Sequence, residues 1–353
     1  MAKDPIRYAY EKKQIIMEKS PLNSYITKNK SKLHLDYLGN MQHLLSINNL
    51  NKKQIIKILD KAENYLQPSD QLPFKLDTLK GRTLVNLFFE PSTRTKTSFE
   101  LAAKKLGADV INLDIKTSAQ KKGESLLDTL YTLQAMQIDM IAIRHEEGGI
   151  PAYLAEHAND QISILNAGES ILEHPTQALL DLLTIRQAKH SFEGISVAIV
   201  GDIKHSRVAR STSSALEIIG VKDLRLICPQ SLSPNKLMLP KKTRLFHNLK
   251  EGISEVDVII ALRIQHERIT KSEDIPNDKE YYDSFGIKLE DLKYAAKDVV
   301  VMHPGPMNKG VDIDPKVVES QSCLVQRQVS NGVAIRMAIM TKIIKNLENR
   351  FRK

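Results

Sequence analysis

Two cysteines among 353 residues, Cys228 and Cys323, stand far apart with no His/Cys cluster around either. That excludes a disulfide framework and gives no zinc-binding spacing, and a reducing compartment suits the chain. Long apolar runs are missing as well. None approaches the roughly 20 residues a membrane-spanning helix needs, and the start MAKDPIRYAY lacks the apolar stretch of a signal peptide. The expected setting is soluble and cytoplasmic, with no membrane partner. No G-x-x-x-x-G-K-[ST] and no intact G-x-G-x-x-G occurs, so neither ATP nor a dinucleotide is indicated. A dehydrogenase on a doubly wound fold would also need an acidic ribose partner, which is absent. We expect no cofactor and no metal.

The formal charge is +9, yet its placement matters more than its size. Residues 1–40 hold eight Lys/Arg against four Asp/Glu, and residues 331–353 hold six against one, which leaves the 290 residues between them neutral. Basic ends of this kind read as solvated tails. With no aromatic-interleaved RNP strand and no zinc-finger spacing, nucleic acid is not an expected partner.

The length and the 42% hydrophobic content suffice for two adjoining cores. Residues 1–40 are polar, mixed in charge and without steady periodicity, and read as an extension. From Asn51, Ile55, Ile56, Ile58, Leu59 and Ala62 recur at helical spacing. Short apolar runs then alternate with helical patterns: TLVNLFF, TRTKTSFELAAKKLG, DVINLD, ESLLDTLYTLQAM, DMIAIR and ISILNAG. Such alternation predicts a parallel sheet covered by helices. A long helix over 175–190 follows and serves as hinge, after which ISVAIVGD, RVARSTSSALEIIG and DLRLICP restart the alternation, with later strands DVIIAL and DVVVMHP. The predicted class is α/β, two doubly wound parallel-sheet domains joined by interdomain helices. Their expected ranges are 41–185 and 186–330, with 331–353 a C-terminal helix packing back toward the first domain.

In open parallel sheets ligands sit beyond the carboxyl ends of strands, so the segments there are the candidates. FFEPSTRTKTSFE sets Ser92, Thr93, Arg94 and Thr95 after an apolar strand and at a helix start. Unpaired helix N–H groups, hydroxyls and a guanidinium suit a phosphate; an ordinary Ser/Thr cap is the competing reading. TSAQKKGES offers Ser118, Lys121 and Lys122 beside Gly123, which also fits a basic surface loop. Arg144 ends a strand, where it is a ligand or an ion-pair partner. His174 and Gln177 open a helix one turn apart, able to polarise a carbonyl and hold an amide, or to cap the helix. In the second half, Arg207 stands where a carboxylate could be met, Arg263 and Gln265 alternate onto one side of an extended segment, and MHPGPMNKG forms a proline-rigidified turn.

The order STRT, KKGES, IRH, HPTQALLDL, GDIKHSR, LRIQHER and MHPGPMNKGVDID resembles the catalytic chains of the carbamoyltransferase family, from about Leu45 to the C-terminus. STRT and HPTQ are shared across that family. RIQHER with HPGP, in place of a cysteine-bearing HCLP turn, resembles the aspartate branch, the aspartate carbamoyltransferases; the ornithine branch is the runner-up. A non-enzymatic binding protein that kept the fold is the remaining alternative, and the intact set from Arg94 to Gln265 argues against it.

The resemblance implies transfer of a carbamoyl group from carbamoyl phosphate to L-aspartate in pyrimidine synthesis. It implies that Ser92, Thr93, Arg94 and Thr95 bind the phosphate and that Arg144 reaches phosphate and carbonyl oxygen. His174 would donate to that oxygen, Gln177 would hold the carbamoyl nitrogen, and Gly305 and Pro306 would line the site. Arg207, Arg263 and Gln265 would grip aspartate. Ser118 and Lys122 would enter a neighbouring subunit's site, making a homotrimer with shared active sites. The HPGPMNKG turn looks more like chains that associate with dihydroorotase, or act alone, than like those with a zinc-bearing regulatory chain.

Overall fold

The computed structural model describes residues 33–36, 38–66, 75–113, 125–235, 239–269 and 275–351. Nearly all of the 1–40 extension, and both Ser118 and Lys122, lie outside the described residues.

The first sheet contains β1 (Thr83–Phe88), β2 (Asp109–Leu113), β3 (Met140–His145) and β4 (Ser163–Glu169), in the order β2-β1-β3-β4 with every pairing parallel. Apart from its last two residues β3 is buried, and β4 is buried throughout, as strands covered on both faces must be. Helices α1 (Lys52–Glu63), α2 (Thr93–Lys105), α3 (Leu126–Ala135) and α4 (Ile150–His157) surround this sheet. In α1 the buried positions are Ile55, Ile58, Leu59 and Ala62, and a capping box between Asn51 and Gln54 starts the helix.

Helix α5 (Pro175–Lys189) leads out of the first domain. Its residues 175–185 are all buried, polar ones included, as befits a helix enclosed on every side. The second sheet follows with β5 (Ser196–Val200), β6 (Asp223–Ile227), β7 (Thr243–Phe246), β8 (Val258–Ala261) and β9 (Val300–Met302), ordered β7-β6-β5-β8-β9 and again parallel at every pairing. Around it lie α6 (Arg207–Ile219), α7 (Leu249–Ile253), α8 (Asp278–Phe285) and α9 (Pro315–Val318). The chain thus has the two doubly wound α/β units that the alternation predicts. Strand β7 is one that no apolar run announces: it is a four-residue edge strand containing Thr243 and Arg244, none of it fully buried.

The last helix, α10 (Val325–Phe351), starts beside β9 and runs back across α5, α2 and α1. Tyr65 and Thr341 share a hydrogen bond of 2.9 Å, Asn346 donates to the Met41 carbonyl at 3.0 Å, and Asn331 donates to Thr184 of α5 at 2.8 Å. One large apolar core runs through both domains by way of α5 and α10, and a smaller one fills the other face of the first sheet. Among the described residues no helix is long and apolar enough to cross a membrane.

Candidate active site

Each sheet reverses its winding direction once, between β1 and β3 in the first and between β5 and β8 in the second. Crevices at such points, beyond the carboxyl ends of the strands, are where open α/β sheets take ligands. Strand β1 delivers Ser92–Thr95, β3 ends on Arg144, β5 leads to Arg207, and Arg263 and Gln265 follow β8. The sequence candidates therefore come from strand ends flanking both reversals.

Ser92 holds the N-cap position of α2, yet its side chain makes no capping bond, whereas those of Asn51 and Ser206 accept from helix N–H groups. The reading of this segment as an ordinary cap is thus not realised. Thr95 is buried; Thr93 and Arg94 are exposed. The Arg94 guanidinium lies over the turn after β9, close enough that a Cβ on Gly305 would come within 2.9 Å of its Cζ. Glycine, at φ +66° here, is what allows that approach, and Pro306 follows through a cis peptide bond. Partial burial, and then the charge of Arg263, hold the Arg94 guanidinium below its ordinary pKa.

Three guanidiniums face one carboxylate. Glu90, two residues before Ser92, lies 3.0 Å from Arg144 Nε and 3.9 Å from Arg268 Nη2, and accepts a hydrogen bond of 2.6 Å from Arg207 Nη2. Arg207 also donates to the Ser170 carbonyl at 3.1 Å. Gly168, at φ +120°, leaves room for both Arg144 and Arg207, whose guanidinium atoms would lie 3.0 and 3.4 Å from a Cβ. Burial, with Arg207 nearby, lowers Arg144 to about 9, and the same two causes lower Arg268 to about 10. Arg144 and Arg268 stay charged at neutral pH, and the excess of guanidiniums over the single Glu90 suits anionic ligands.

His174 precedes α5 and is buried, and its side chain does not cap the helix, which sets aside the capping reading here too. Its backbone N–H donates to Ser211 Oγ at 2.8 Å, and its Nδ1 has no hydrogen-bond partner among the described residues. Burial, then the charges of Arg144 and Arg207, drive its pKa well below the ordinary 6.5. The imidazole is neutral. One turn on, Gln177 donates from Nε2 to Asp181 at 2.9 Å.

Strand β8 stops at Ala261, so Arg263 and Gln265 occupy an irregular stretch beyond it. They are still neighbours, with Gln265 Nε2 reaching the Arg263 carbonyl at 3.4 Å. Arg263 grips the carboxylate of Glu267 with both terminal nitrogens, Nη1 at 3.0 Å. The Gln265 N–H donates to buried Asp202 at 3.0 Å, and Arg268 Nη1 donates to the His205 carbonyl at 2.9 Å.

Several residues here are ones the motif reading does not single out. Glu90 and Arg268 lie inside FFEPSTRT and LRIQHER, but only the fold shows that they meet. Asp181 carried a usable signal, since it stands four residues after Gln177 on one helix face. Among the described residues, no group of three or more His, Cys, Asp or Glu is placed to hold a metal ion.

Comparison with known proteins finds matches that span both domains. Residues 42–187 match the family described as aspartate/ornithine carbamoyltransferase, carbamoyl-P binding domain, and residues 193–343 match its Asp/Orn binding domain. The chain is 48% identical over 312 residues to the aspartate carbamoyltransferase catalytic subunit of Ruthia magnifica subsp. Calyptogena magnifica, covering 88% of this chain and 96% of that one. It is similar to a Trypanosoma cruzi aspartate transcarbamoylase solved in complex with carbamoyl phosphate and aspartate, with TM-score 0.77 and 29% identity over 86% of this chain and 96% of that one. The ornithine carbamoyltransferase of Thermus thermophilus gives TM-score 0.74 and 25% identity, over 86% of this chain and 98% of the other.

Proposed function

The chain belongs to the aspartate/ornithine carbamoyltransferase family, and from that premise we propose that it transfers the carbamoyl group of carbamoyl phosphate to the α-amino group of L-aspartate. The products are N-carbamoyl-L-aspartate and phosphate, and the reaction serves pyrimidine synthesis. The observation that carries this reading is the set of arginines at the strand ends, Arg94, Arg144, Arg207, Arg263 and Arg268, in a chain whose central 290 residues are neutral overall. Both substrates are anions. The aspartate relative at 48% identity favours that branch over ornithine.

In the reaction the uncharged amine attacks the carbamoyl carbon and a C–N bond forms. The carbonyl oxygen becomes an oxyanion, and the C–O bond to phosphate then breaks. Preformed donors aimed at that oxygen account for much of such a rate, and Thr95, Arg144 and His174 take this part. A neutral His174 suits the task because it can donate a proton in a hydrogen bond without adding to the positive charge of the arginines. Gln177 holds the carbamoyl nitrogen, and Ser92, Thr93 and Arg94 hold the phosphate. Orientation of the two reactants supplies a further share. The departing phosphate takes the proton lost from nitrogen.

Arg207, Arg263 and Gln265 bind the aspartate carboxylates, for which a planar guanidinium fork is better suited than an ammonium. Both guanidiniums already bind carboxylates within the chain, Arg207 that of Glu90 and Arg263 that of Glu267. Gly305 and Pro306 contact the reactants through main-chain groups. Residues 41–185 form the carbamoyl phosphate domain and 186–330 the aspartate domain. The active assembly is a cytoplasmic homotrimer in which Ser118 and Lys122 complete a neighbour's site.

Phosphate release from carbamoyl phosphate by the purified chain, measured in parallel with aspartate and with ornithine, tests this. Turnover with aspartate alone is expected. Turnover with ornithine alone would overturn the second-substrate assignment, and silence with both would overturn the enzymatic reading.

A further inference from the structure

A glutamine can present its oxygen or its nitrogen to a ligand, and the two ends of the amide are sorted only by their neighbours. For Gln177 the neighbours decide the matter, starting from a backbone group that cannot change role. The His303 N–H, at the end of β9, must donate, and it meets Gln328 Oε1 of α10 at 2.9 Å. Gln328 is then obliged to turn Nε2 the other way, where it donates to Asp181 Oδ1 at 2.9 Å. Thr212 of α6 donates to Asp181 Oδ2 at 3.0 Å. Asp181 is fully buried, and burial raises its carboxyl to about 6 against the opposing pull of these bonds, so at neutral pH it is ionised and can only accept. Gln177 must therefore give it Nε2, as it does at 2.9 Å. The remaining atom, Oε1, forms no hydrogen bond among the described residues and is the end of the side chain left for a ligand.

We propose that Asp181, held by Gln328 and Thr212, is a positioning residue that locks the Gln177 amide with its oxygen toward the cleft, so that the site selects an acyl phosphate bearing an amino group over its methyl counterpart. This rests on the reading of Gln177 as the partner of the carbamoyl nitrogen. An amide oxygen accepts from a carbamoyl NH2. A methyl group offers it nothing, and leaves a desolvated acceptor unpaired, which is the kind of mismatch that gives large discrimination. The lock joins both domains: Gln177 and Asp181 lie on α5, Thr212 on α6 and Gln328 on α10, and the chain of bonds ends at the turn that carries Gly305, whose N–H donates to His303 Nδ1 at 2.8 Å.

Asp181→Leu roughly keeps the size and removes both acceptor oxygens. Oδ1 of Asp181 takes Gln177 Nε2 and Gln328 Nε2 alike, and with that acceptor gone the Gln177 amide is free to turn over and place a donor where the carbamoyl NH2 must sit. The readout is the ratio of the inhibition constant of acetyl phosphate to the KM of carbamoyl phosphate. In the unmodified protein that ratio is expected to exceed about ten. In Asp181→Leu the KM of carbamoyl phosphate should rise at least about tenfold while acetyl phosphate inhibition changes less than about threefold, collapsing the ratio. A merely structural role would weaken both ligands in parallel and overturn the proposal. Should Asp181→Leu not fold, Asp181→Ala also releases the amide and carries the same expectation. The unmodified protein decides by itself in one direction, since equal preference for the two acyl phosphates would overturn the lock without any variant. No turnover of carbamoyl phosphate by the unmodified protein would overturn the functional reading beneath it, a result distinct from normal turnover with a ratio that Asp181→Leu leaves unchanged.

Discussion

Arg207, at the head of the first helix after β5, donates across the domain boundary to Glu90, which follows β1, at 2.6 Å. The two are 117 positions apart in the chain. Arg207 is buried, so its partner matters: removing one member of a buried pair leaves a desolvated charge behind, at roughly 3–5 kcal/mol. Glu90→Ala should therefore lower the thermal midpoint by at least about 3 °C, and should lower kcat by loosening the approach of the domains. Calorimetry with steady-state kinetics checks both, and an unchanged midpoint would show that the pair carries little free energy.

Arg94 is exposed at the start of α2, beside the Gly305 turn and near enough to Arg263 to feel its charge. Arg94→Ala should reduce kcat/KM by at least about a thousandfold, a loss typical of a charged group acting on the transition state, with the thermal midpoint within about 2 °C of the parent. Near-normal activity in this variant would remove the phosphate-site assignment.

Arg263 and Lys differ where two parallel hydrogen bonds to a carboxylate are needed. Arg263→Lys is expected to raise the KM for aspartate about tenfold or more, with the KM for carbamoyl phosphate nearly unchanged. A parallel rise in both constants would place Arg263 outside the aspartate subsite.

Buried imidazoles make stability depend on pH. Burial lowers His34 to about 4 and His43 to about 3, and drives His174 well below 6.5. Each contributes stability that is fully present above the unfolded value of about 6.5 and is lost as pH falls toward the folded value, because the unfolded chain takes the protons first. Asp181 acts oppositely. Its carboxyl, raised by burial to about 6, contributes stability below the unfolded value of 3.8 that disappears as pH rises through 6. Three imidazoles outweigh one carboxyl, so denaturant midpoints should fall steadily from pH 7 to pH 4.5. A flat profile over that window would contradict the neutral burial of these histidines.

Much of the fold was legible because burial leaves a mark on the residue types themselves. Strands covered on both faces are rich in apolar residues, as β5 is from Val197 to Val200, and the helices between them show the 3.6-residue period that one covered face imposes. β7 escaped because an edge strand of four residues needs little apolar content. Helix α5 is a different case, since its polar residues Thr176, Gln177, Asp181 and Thr184 are all buried yet look like a solvent face on paper. They are buried because α6 and α10 bring them hydrogen-bond partners.

The chemistry was legible as residue type and as order along the chain: hydroxyls and arginine at a helix start, a histidine and a glutamine one turn apart, arginines following strands. Sequence by itself determined these because local backbone geometry, strand then turn then helix, follows from neighbours in the chain. Which charge meets which was decided only by tertiary structure. Glu90 reaches three guanidiniums, and Asp181 sets the direction of one amide, because parallel sheets gather strand ends that are distant in sequence into one crevice, and hydrogen-bond polarity is fixed only once those partners stand within 3 Å of each other.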